Sequence, residues 1–319
     1  MRKIAVLTSG GDAPGMNAAI RAVVRAGLTN DCEVFGIENG FKGLVENKIK
    51  KMHHKDVSDI MVRGGTILGS ARLPEFAQDE VLQKGVDNLR NLGIEALVTI
   101  GGDGTFRGAQ ALSEKGLSCI GVPSTIDNDI ACSEFCIGFD TALNTIIEAI
   151  DKLRDTSASL ERCSIVEVMG NRCGDLALYA GISSGAEIVI TPETGFDEDA
   201  VIERLNFLEI NRAKRHAIVV VSEKMINVES FSERVSAETP FSGRATILGH
   251  VQRGGAPTAF DRVLATRMGD YAVNLILQGN TCTCIGFTGN KLVATSIAEA
   301  LAMPDYSRAE LYEMHRRLV

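Results

Sequence analysis

An apolar run, Ala96-Leu97-Val98-Thr99-Ile100, passes directly into Gly101-Gly102-Asp103-Gly104-Thr105 and then into a stretch with helical spacing, from about Phe106 to Lys115. This order of strand, glycine turn and helix constrains the fold most, because it is the unit from which parallel, helix-covered sheets are built. It also aims backbone N–H groups and the positive end of a helix dipole at one point, which suits a phosphate. Asp103 would repel that phosphate unless a cation lay between them, so the segment reads as a seat for a phosphate carrying Mg²⁺. A tight turn without any ligand is the other reading, since glycines mark ordinary turns too.

The same unit recurs along the chain. Lys3 to Thr8 leads through Ser9-Gly10-Gly11-Asp12-Ala13-Pro14-Gly15 into an Ala-rich helix from about Met16 to Gly27. A dinucleotide fold with Glu38 on a ribose is conceivable there, but GxGxxG is absent. After a strand at Glu33 to Ile37 comes a glycine-rich loop, Gly64 to Pro74, whose lone Arg72 carries the planar fork of donors that suits a phosphate. A helix from Asp79 to about Leu92 precedes the strand at Ala96. A strand at Ser118 to Val122 then runs into Pro123-Ser124-Thr125-Ile126-Asp127-Asn128-Asp129. Helix Phe139 to Thr156, strand Ser164 to Val168, a helix to about Ser184, strand Glu187 to Thr191, helix Glu198 to Glu209 and strand Ala217 to Val221 continue the alternation. A helix from Phe260 to Leu277, a strand pair near Cys284 and Lys291 and two closing helices follow. Such alternation predicts mainly parallel sheets between helices. A chain of 319 residues is long enough for two lobes. No Pro/Ser-rich linker separates them, so they are expected to be closely joined.

Composition excludes several classes. A formal charge of -8 argues against binding nucleic acid through bulk positive charge. Apolar runs such as Ala217 to Val221 are far short of a membrane span, and Met1-Arg2-Lys3 leads into a strand without a signal-peptide pattern, so a cytoplasmic protein is expected. The eight cysteines include no CxxC pair and no matching histidine spacing, which points to buried thiols rather than a metal site.

The chain lacks GxxxxGK[ST] and the HRD and DFG motifs, which argues against P-loop and protein kinases. Phosphoryl transfer needs only amides and cations around the phosphates, a metal, and an acceptor for the attacking hydroxyl's proton. Gly11, Arg72 and Gly102 to Thr105 can cradle the donor, Asp103 can hold Mg²⁺, and Asp127 or Asp129 can take the proton. Arg162, Arg244, His250 and Arg253, near expected strand ends or loops, are the cations available to an anionic acceptor.

These segments resemble the bacterial ATP-dependent 6-phosphofructokinase family. SGGDAPGMNAAIR (9–21), GGTILGSARLPEF (64–76), GGDGT (101–105), TIDNDI (125–130), GFDTALNT (138–145) and GHVQRGG (249–255) all look like that family's motifs, and the match spans essentially the whole chain. GGDGT alone also occurs in NAD kinases and lipid kinases, which would give no role to the 250–253 loop. A nonenzymatic nucleotide sensor is a further alternative, disfavoured by the presence of both Asp103 and Asp127.

The resemblance implies transfer of the ATP γ-phosphoryl to the 1-hydroxyl of fructose 6-phosphate. It implies two doubly wound three-layer α/β lobes with mainly parallel sheets. The larger, ATP-binding lobe takes 1–138 plus 251–301, and the smaller takes 139–250 plus 302–319. Asp127 is then the proton acceptor, and Asp103 the Mg²⁺ carboxylate. Gly11, Arg72, Leu73 and Gly102 to Thr105 are the ATP contacts. Thr125, Ile126, Asp127, Met169, Gly170, Asn171, Glu223, His250, Val251, Gln252 and Arg253 match sugar-phosphate positions, with Arg162 and Arg244 reaching that site from a neighbouring subunit of a homotetramer. Arg21, Arg25, His54, Asp59, Arg154, Gly185, Glu187, Arg212 and Lys214 match an effector site for ADP or phosphoenolpyruvate. Three positions depart from the family pattern: His54 and Asn171 stand where arginine is common, and Ala213 where glycine is. Pyrophosphate-using relatives carry aspartate and lysine where this chain has Gly104 and Ser124. The open space at Gly104 therefore favours ATP.

Overall fold

The computed structural model describes residues 1–212, 215–304 and 307–319, with only the backbone described for Asn211 and Arg212. In chain order the elements are β1 (Lys3–Thr8), α1 (Met16–Thr29), β2 (Glu33–Ile37), α2 (Gly40–Val45), β3 (Ile49–Met52), α3 (Asp79–Asn91), β4 (Ala96–Gly101), α4 (Asp103–Glu114) and β5 (Ser118–Pro123). Then come α5 (Phe139–Leu160), β6 (Arg162–Val168), α6 (Asp175–Ser184), β7 (Ile188–Ile190), α7 (Glu198–Arg212), β8 (Ala217–Ser222), α8 (Val228–Glu238) and β9 (Ser242–Ile247). The chain closes with α9 (Ala259–Leu277), β10 (Thr283–Thr288), β11 (Lys291–Ser296), α10 (Ile297–Ala302) and α11 (Ala309–Leu318). Two compact units result, Met1–Thr141 with Arg253–Tyr306 and Ala142–Gln252 with Ser307–Val319. Their breaks fall a few residues later than the resemblance implies.

The first unit is built on a seven-stranded sheet of order β11-β10-β5-β4-β1-β2-β3. Its middle strands are parallel, and β3 and β11 are antiparallel edges. Strand alternation divides the buried side chains between two faces. Ala5, Leu7, Phe35, Ile37 and Leu97 pack with Leu82, Val86, Phe106 and Leu112 of α3 and α4, and with Ile297 of α10. Ile4 and Val34 lie on the other face, against α1, where a Cβ on Gly27 would come within 2.9 Å of both. Helix α9 packs on α1 so closely that a Cβ on Gly269 would lie 2.7 Å from the Ala19 carbonyl oxygen and from the Ala22 Cβ. The chain winds from β1 toward β2 on one side and later returns to β4 on the other. The reversal point lies between β1 and β4, where open α/β sheets form their ligand crevice.

The second unit carries a fully parallel four-stranded sheet, β7-β8-β6-β9. One face packs Cys163, Ile165, Val219 and Val221 against Ile202, Leu205 and Leu208 of α7 and Phe231 and Val235 of α8. The near-continuous apolar sequence of β8 reflects burial on both faces.

Several elements depart from the expected pattern, among them the short α2 and the edge strand β3, neither of which the sequence pattern predicts. Asp103, Gly104 and Thr105 are the first turn of α4 rather than loop, because Gly102 already caps it and accepts from the Thr105 and Phe106 N–H groups. Helix α8 and strand β9 carry too few apolar residues to announce themselves. Arg244 consequently sits inside β9, not in a loop.

The GFDT segment is a scaffold. Asp261 of α9 accepts from the Gly138 N–H (2.9 Å), the Thr141 N–H (2.8 Å) and the Thr141 hydroxyl (2.5 Å). Burial pushes its carboxyl up from 3.8 to about 6, against these hydrogen bonds, which lower it. A carboxyl raised on folding adds stability that is present below the unfolded value and lost as pH rises through the folded one. The parent is therefore expected to gain about 1 to 3 kcal/mol relative to Asp261→Asn as pH falls from 7 to 4, measured by paired urea titrations.

Candidate active site

Three carboxyl strand ends converge in the first unit. The Ser9 N–H donates to the Ile100 carbonyl (3.0 Å) and the Ser124 N–H to the Gly101 carbonyl (3.0 Å), which ties the turns after β1, β4 and β5 together. A Cβ on Gly101 would lie 2.4 Å from the Ser9 carbonyl oxygen and 2.3 Å from Thr105 Oγ1, so only glycine fits this junction. Thr105 Oγ1 is buried there without a hydrogen-bond partner among the described residues. A buried hydroxyl left unpaired costs about 1 to 3 kcal/mol, a cost that a polar ligand at this turn would remove.

The loop from Gly64 to Leu73 is drawn onto the same strand ends. Thr8 Oγ1 lies 2.8 Å from Thr66 Oγ1 and donates to the Gly69 carbonyl (2.8 Å), while Asn17 accepts from the Ile67 N–H (2.8 Å). Exposed Arg72 and half-buried Leu73 follow at the end of this loop. Arg253 lays its guanidinium against Gly11, where a Cβ would come within 2.4 Å of Nη1, and donates to the Asp12 carbonyl (3.1 Å). Glu38, the residue a dinucleotide fold would place on a ribose, pairs instead with Lys50 (2.6 Å) at the surface.

After β5, Ile126, Asp127 and Asn128 are buried and Thr125 and Asp129 are partly so. Asn128 adopts φ 57° and anchors the segment by accepting from the Cys136 N–H (2.8 Å) and donating to the Glu134 carbonyl (2.9 Å). The Asp127 N–H donates to Thr125 Oγ1 (3.2 Å), and the residue is 8% exposed.

Asp103 is the residue available to a metal. Its half-exposed carboxylate is held by Arg107 one turn on, at 2.9 Å. A surface pair of this kind contributes about 0 to 1 kcal/mol and yields to a divalent cation. Among the described residues no group of three or more His, Cys, Asp or Glu is arranged around a metal. A cation held by Asp103 would have one protein carboxylate and would draw the rest of its ligands from phosphate oxygens and water, as Mg²⁺ tolerates. The donor set fits Mg²⁺.

The second unit supplies its own cluster at the ends of β6 and β8. The Met169 N–H donates to Gln252 Oε1 (3.1 Å), and the Asn171 N–H to Glu223 Oε1 (2.8 Å). Gly170, at φ 145°, turns the chain in a conformation that an L side chain rarely adopts. Lys224 donates to Asn171 Oδ1 (3.0 Å), bringing a cation to the position where arginine is common in the resembled family. Burial, reinforced by the Glu223 charge, raises the Glu167 carboxyl above its ordinary value. In the GHVQR turn His250 and Val251 are exposed, whereas Gln252 is fully buried and braces Met169, a supporting role.

Arg162 and Arg244 are not part of that cluster. Arg162 opens β6, six residues and roughly 20 Å of strand before Val168. Because Arg162 pairs with Ser242 and Ser164 with Arg244, both arginines lie on one face of the sheet.

The expected effector residues divide between the units. Arg21 and Arg25 lie on α1, which packs against the turn carrying His54, and exposed Asp59 follows at φ 56°. Arg25 Nε is buried without a hydrogen-bond partner among the described residues. In the second unit Arg154 donates to the Ser184 carbonyl beside Gly185, and Glu187 Oε2 accepts from the Ile218 N–H (2.7 Å). Gly185 and Glu187 line a cavity of about 210 Å³ with His315 and Leu318. Lys214 and Ala213 lie outside the described residues, as does the Arg212 side chain.

A family model described as Phosphofructokinase matches residues 3–276. Curated ATP-dependent 6-phosphofructokinases from Aliivibrio salmonicida and Vibrio cholerae are each 52% identical to this chain over 319 residues, covering all of it and 99% of the relative. Among solved structures, phosphofructokinase from Saccharomyces cerevisiae superposes with a TM-score of 0.90 at 34% identity; 99% of this chain is covered, and it spans 50% of the yeast chain. A pyrophosphate-dependent phosphofructokinase from Marinobacter aquaeolei shares the fold, with a TM-score of 0.87 at 18% identity over 97% of this chain and 86% of the other.

Proposed function

Because the chain belongs to the phosphofructokinase family, we propose that it transfers the γ-phosphoryl group of ATP to the 1-hydroxyl of fructose 6-phosphate, giving fructose 1,6-bisphosphate and ADP. The observation that carries the reading is the convergence of the β1, β4 and β5 turns, with a glycine-only junction at Gly101 and the Asp127 carboxylate just beyond β5.

Gly11, Arg72, Leu73 and Gly102 to Thr105 bind the triphosphate, and the first-turn N–H groups of α4 donate to its oxygens. Mg²⁺ on Asp103 offsets the phosphate charge when bound. The sugar's 1-hydroxyl oxygen bonds to the γ-phosphorus while the bond from that phosphorus to the bridging oxygen of ADP breaks. Asp127 accepts the hydroxyl proton, late in the step, as bonding to phosphorus makes the alcohol acidic. Thr125 and Ile126 belong to the same segment. Met169, Gly170, Asn171, Glu223, His250, Val251, Gln252 and Arg253 hold or brace the sugar phosphate. Arg162 and Arg244, grouped on one sheet face away from their own chain's cluster, serve a neighbouring copy in a homotetramer. The protein acts in the cytoplasm, and no helix among the described residues is long and apolar enough to cross a membrane. ADP and phosphoenolpyruvate act as effectors at Arg21, Arg25, His54, Asp59, Arg154, Gly185, Glu187, Arg212 and Lys214, with the buried, unbonded Nε of Arg25 suited to an anion.

A coupled assay with ATP, Mg²⁺ and a panel of acceptors tests the reading. Fructose 6-phosphate is expected to be turned over fastest; faster turnover of NAD or a lipid, or of no acceptor at all, sinks it. Donor choice has its own test. A Cβ on Gly104 meets nothing within 4 Å, so Gly104→Asp is expected to fold like the parent. Its carboxylate, set against a phosphate, is expected to raise the ATP KM about tenfold or more.

A further inference from the structure

The helix α11 is fastened to the turn between β6 and α6 by polar links that no sequence motif announces. Tyr312 Oη lies 2.8 Å from Thr191 Oγ1 and donates to Glu193 Oε2 (3.0 Å). The other oxygen of that carboxylate, Glu193 Oε1, accepts from the Gly174 N–H (2.8 Å). The seat is close: a Cβ on Gly174 would lie 2.3 Å from Glu193 Oε2 and 2.5 Å from the Thr191 Cβ. Just before α11, Arg308 donates through Nη2 and Nε to Asp175 Oδ2, at 2.9 and 3.1 Å. Both ends of this ion pair are less than 10% exposed.

The turn from Met169 to Gly174 belongs to neither strand nor helix, so its backbone is fixed only by what it bonds to. Gln252 and Glu223 hold its first half. Glu193 holds its second half through the Gly174 N–H, and Asp175 opens α6 immediately after it; each of the two is held in turn by a side chain from the α11 segment. Burial raises the Tyr312 phenol above its ordinary value, keeping it protonated and a donor at neutral pH. Donation then runs from Thr191 to Tyr312 to Glu193, whose other oxygen accepts from the Gly174 N–H.

We infer that Tyr312 and Arg308 are positioning residues for the sugar-phosphate turn, acting through Glu193 and Asp175 and touching no substrate themselves. The inference rests on the reading of Met169, Gly170 and Asn171 as sugar-phosphate contacts. A shift of about 1 Å in a group that positions substrate can cost up to roughly 100-fold.

The test is Tyr312→Phe, which keeps the ring and removes both hydroxyl bonds. Loss of this link is expected to raise the KM for fructose 6-phosphate roughly three- to tenfold. The KM for ATP and kcat are expected to stay within about twofold of the parent, since neither depends on this bond. Amide hydrogen exchange over residues 170–175, followed without substrate, is expected to accelerate. Glu193→Ala should reproduce both effects. Glu193→Gln keeps an oxygen for Gly174 and an N–H for Tyr312, and should lie nearer the parent. Arg316→Ala, at the surface of the same helix, controls for general loosening of α11.

Parental KM for fructose 6-phosphate in Tyr312→Phe overturns the inference, whatever the exchange rate. A parallel rise in both substrate KM values, or exchange at the parental rate, overturns it too. A parent that leaves fructose 6-phosphate untouched overturns the proposed activity instead, and the substrate-free exchange measurement separates that failure from failure of the latch.

Discussion

Asp127→Asn is expected to lower kcat for phosphorylation of fructose 6-phosphate by about 10² to 10⁴, roughly 3 to 5 kcal/mol of barrier. Asparagine keeps the shape and the Asp127 N–H bond to Thr125 Oγ1, but it cannot take the hydroxyl proton. Binding of both substrates should be nearly unchanged, so kcat and kcat/KM fall together. The fold should persist as well, because Asn128 ties this segment to residues 134–136 and is left in place. Steady-state kinetics alongside a thermal melt decide the matter. A folded variant with parental kcat would remove Asp127 from its role.

The second large effect concerns stability. Arg308→Met is expected to destabilise the protein by about 3 to 5 kcal/mol, because it strands the Asp175 carboxylate in a buried site. Asp175 is 6% exposed and cannot recover its lost partner from solvent. Arg308 also lies over the Tyr179 ring at 5.7 Å, a contact the linear side chain only partly replaces. Adding Asp175→Asn should regain much of the loss, since two uncharged groups of similar volume carry no such penalty. Urea titrations of the two single variants and the double variant measure the coupling. A double variant as unstable as Arg308→Met would show that shape, rather than charge, sets the cost.

The sequence disclosed those parts of the molecule whose physics is local. A buried parallel strand must be apolar throughout, and a turn that packs backbone on backbone must be glycine, so β1, β4, β5 and the junction at Gly101 were readable in order. Strand β9, Ser-Gly-Arg-Ala-Thr-Ile, escaped because its sheet-edge position leaves most side chains partly or fully exposed, and no apolar run remains. Helix α8 buries only Val228, Phe231 and Val235, although its Asn227 cap was a usable signal. The supporting roles of Asp261, Glu193, Arg308 and Tyr312 had no local signature at all. Asp261 meets Thr141 across 120 residues, and Tyr312 meets Glu193 across 119. Such pairs become visible only when the chain has been folded.

The close crossing of α1 and α9 at Gly269 bears on how this protein is made. A ribosome releases all four strands of the second unit's sheet before it reaches residue 253. Throughout that interval the nascent chain carries an α1 whose Ala19 and Ala22 surface still waits for its cover, and a β5 whose outer hydrogen-bonding edge has no neighbour. The lobe begun earliest thus stays half-built while the sheet of the second is made, and its uncovered apolar flank is a stretch that chaperones, crowding or a stalled translation complex would meet.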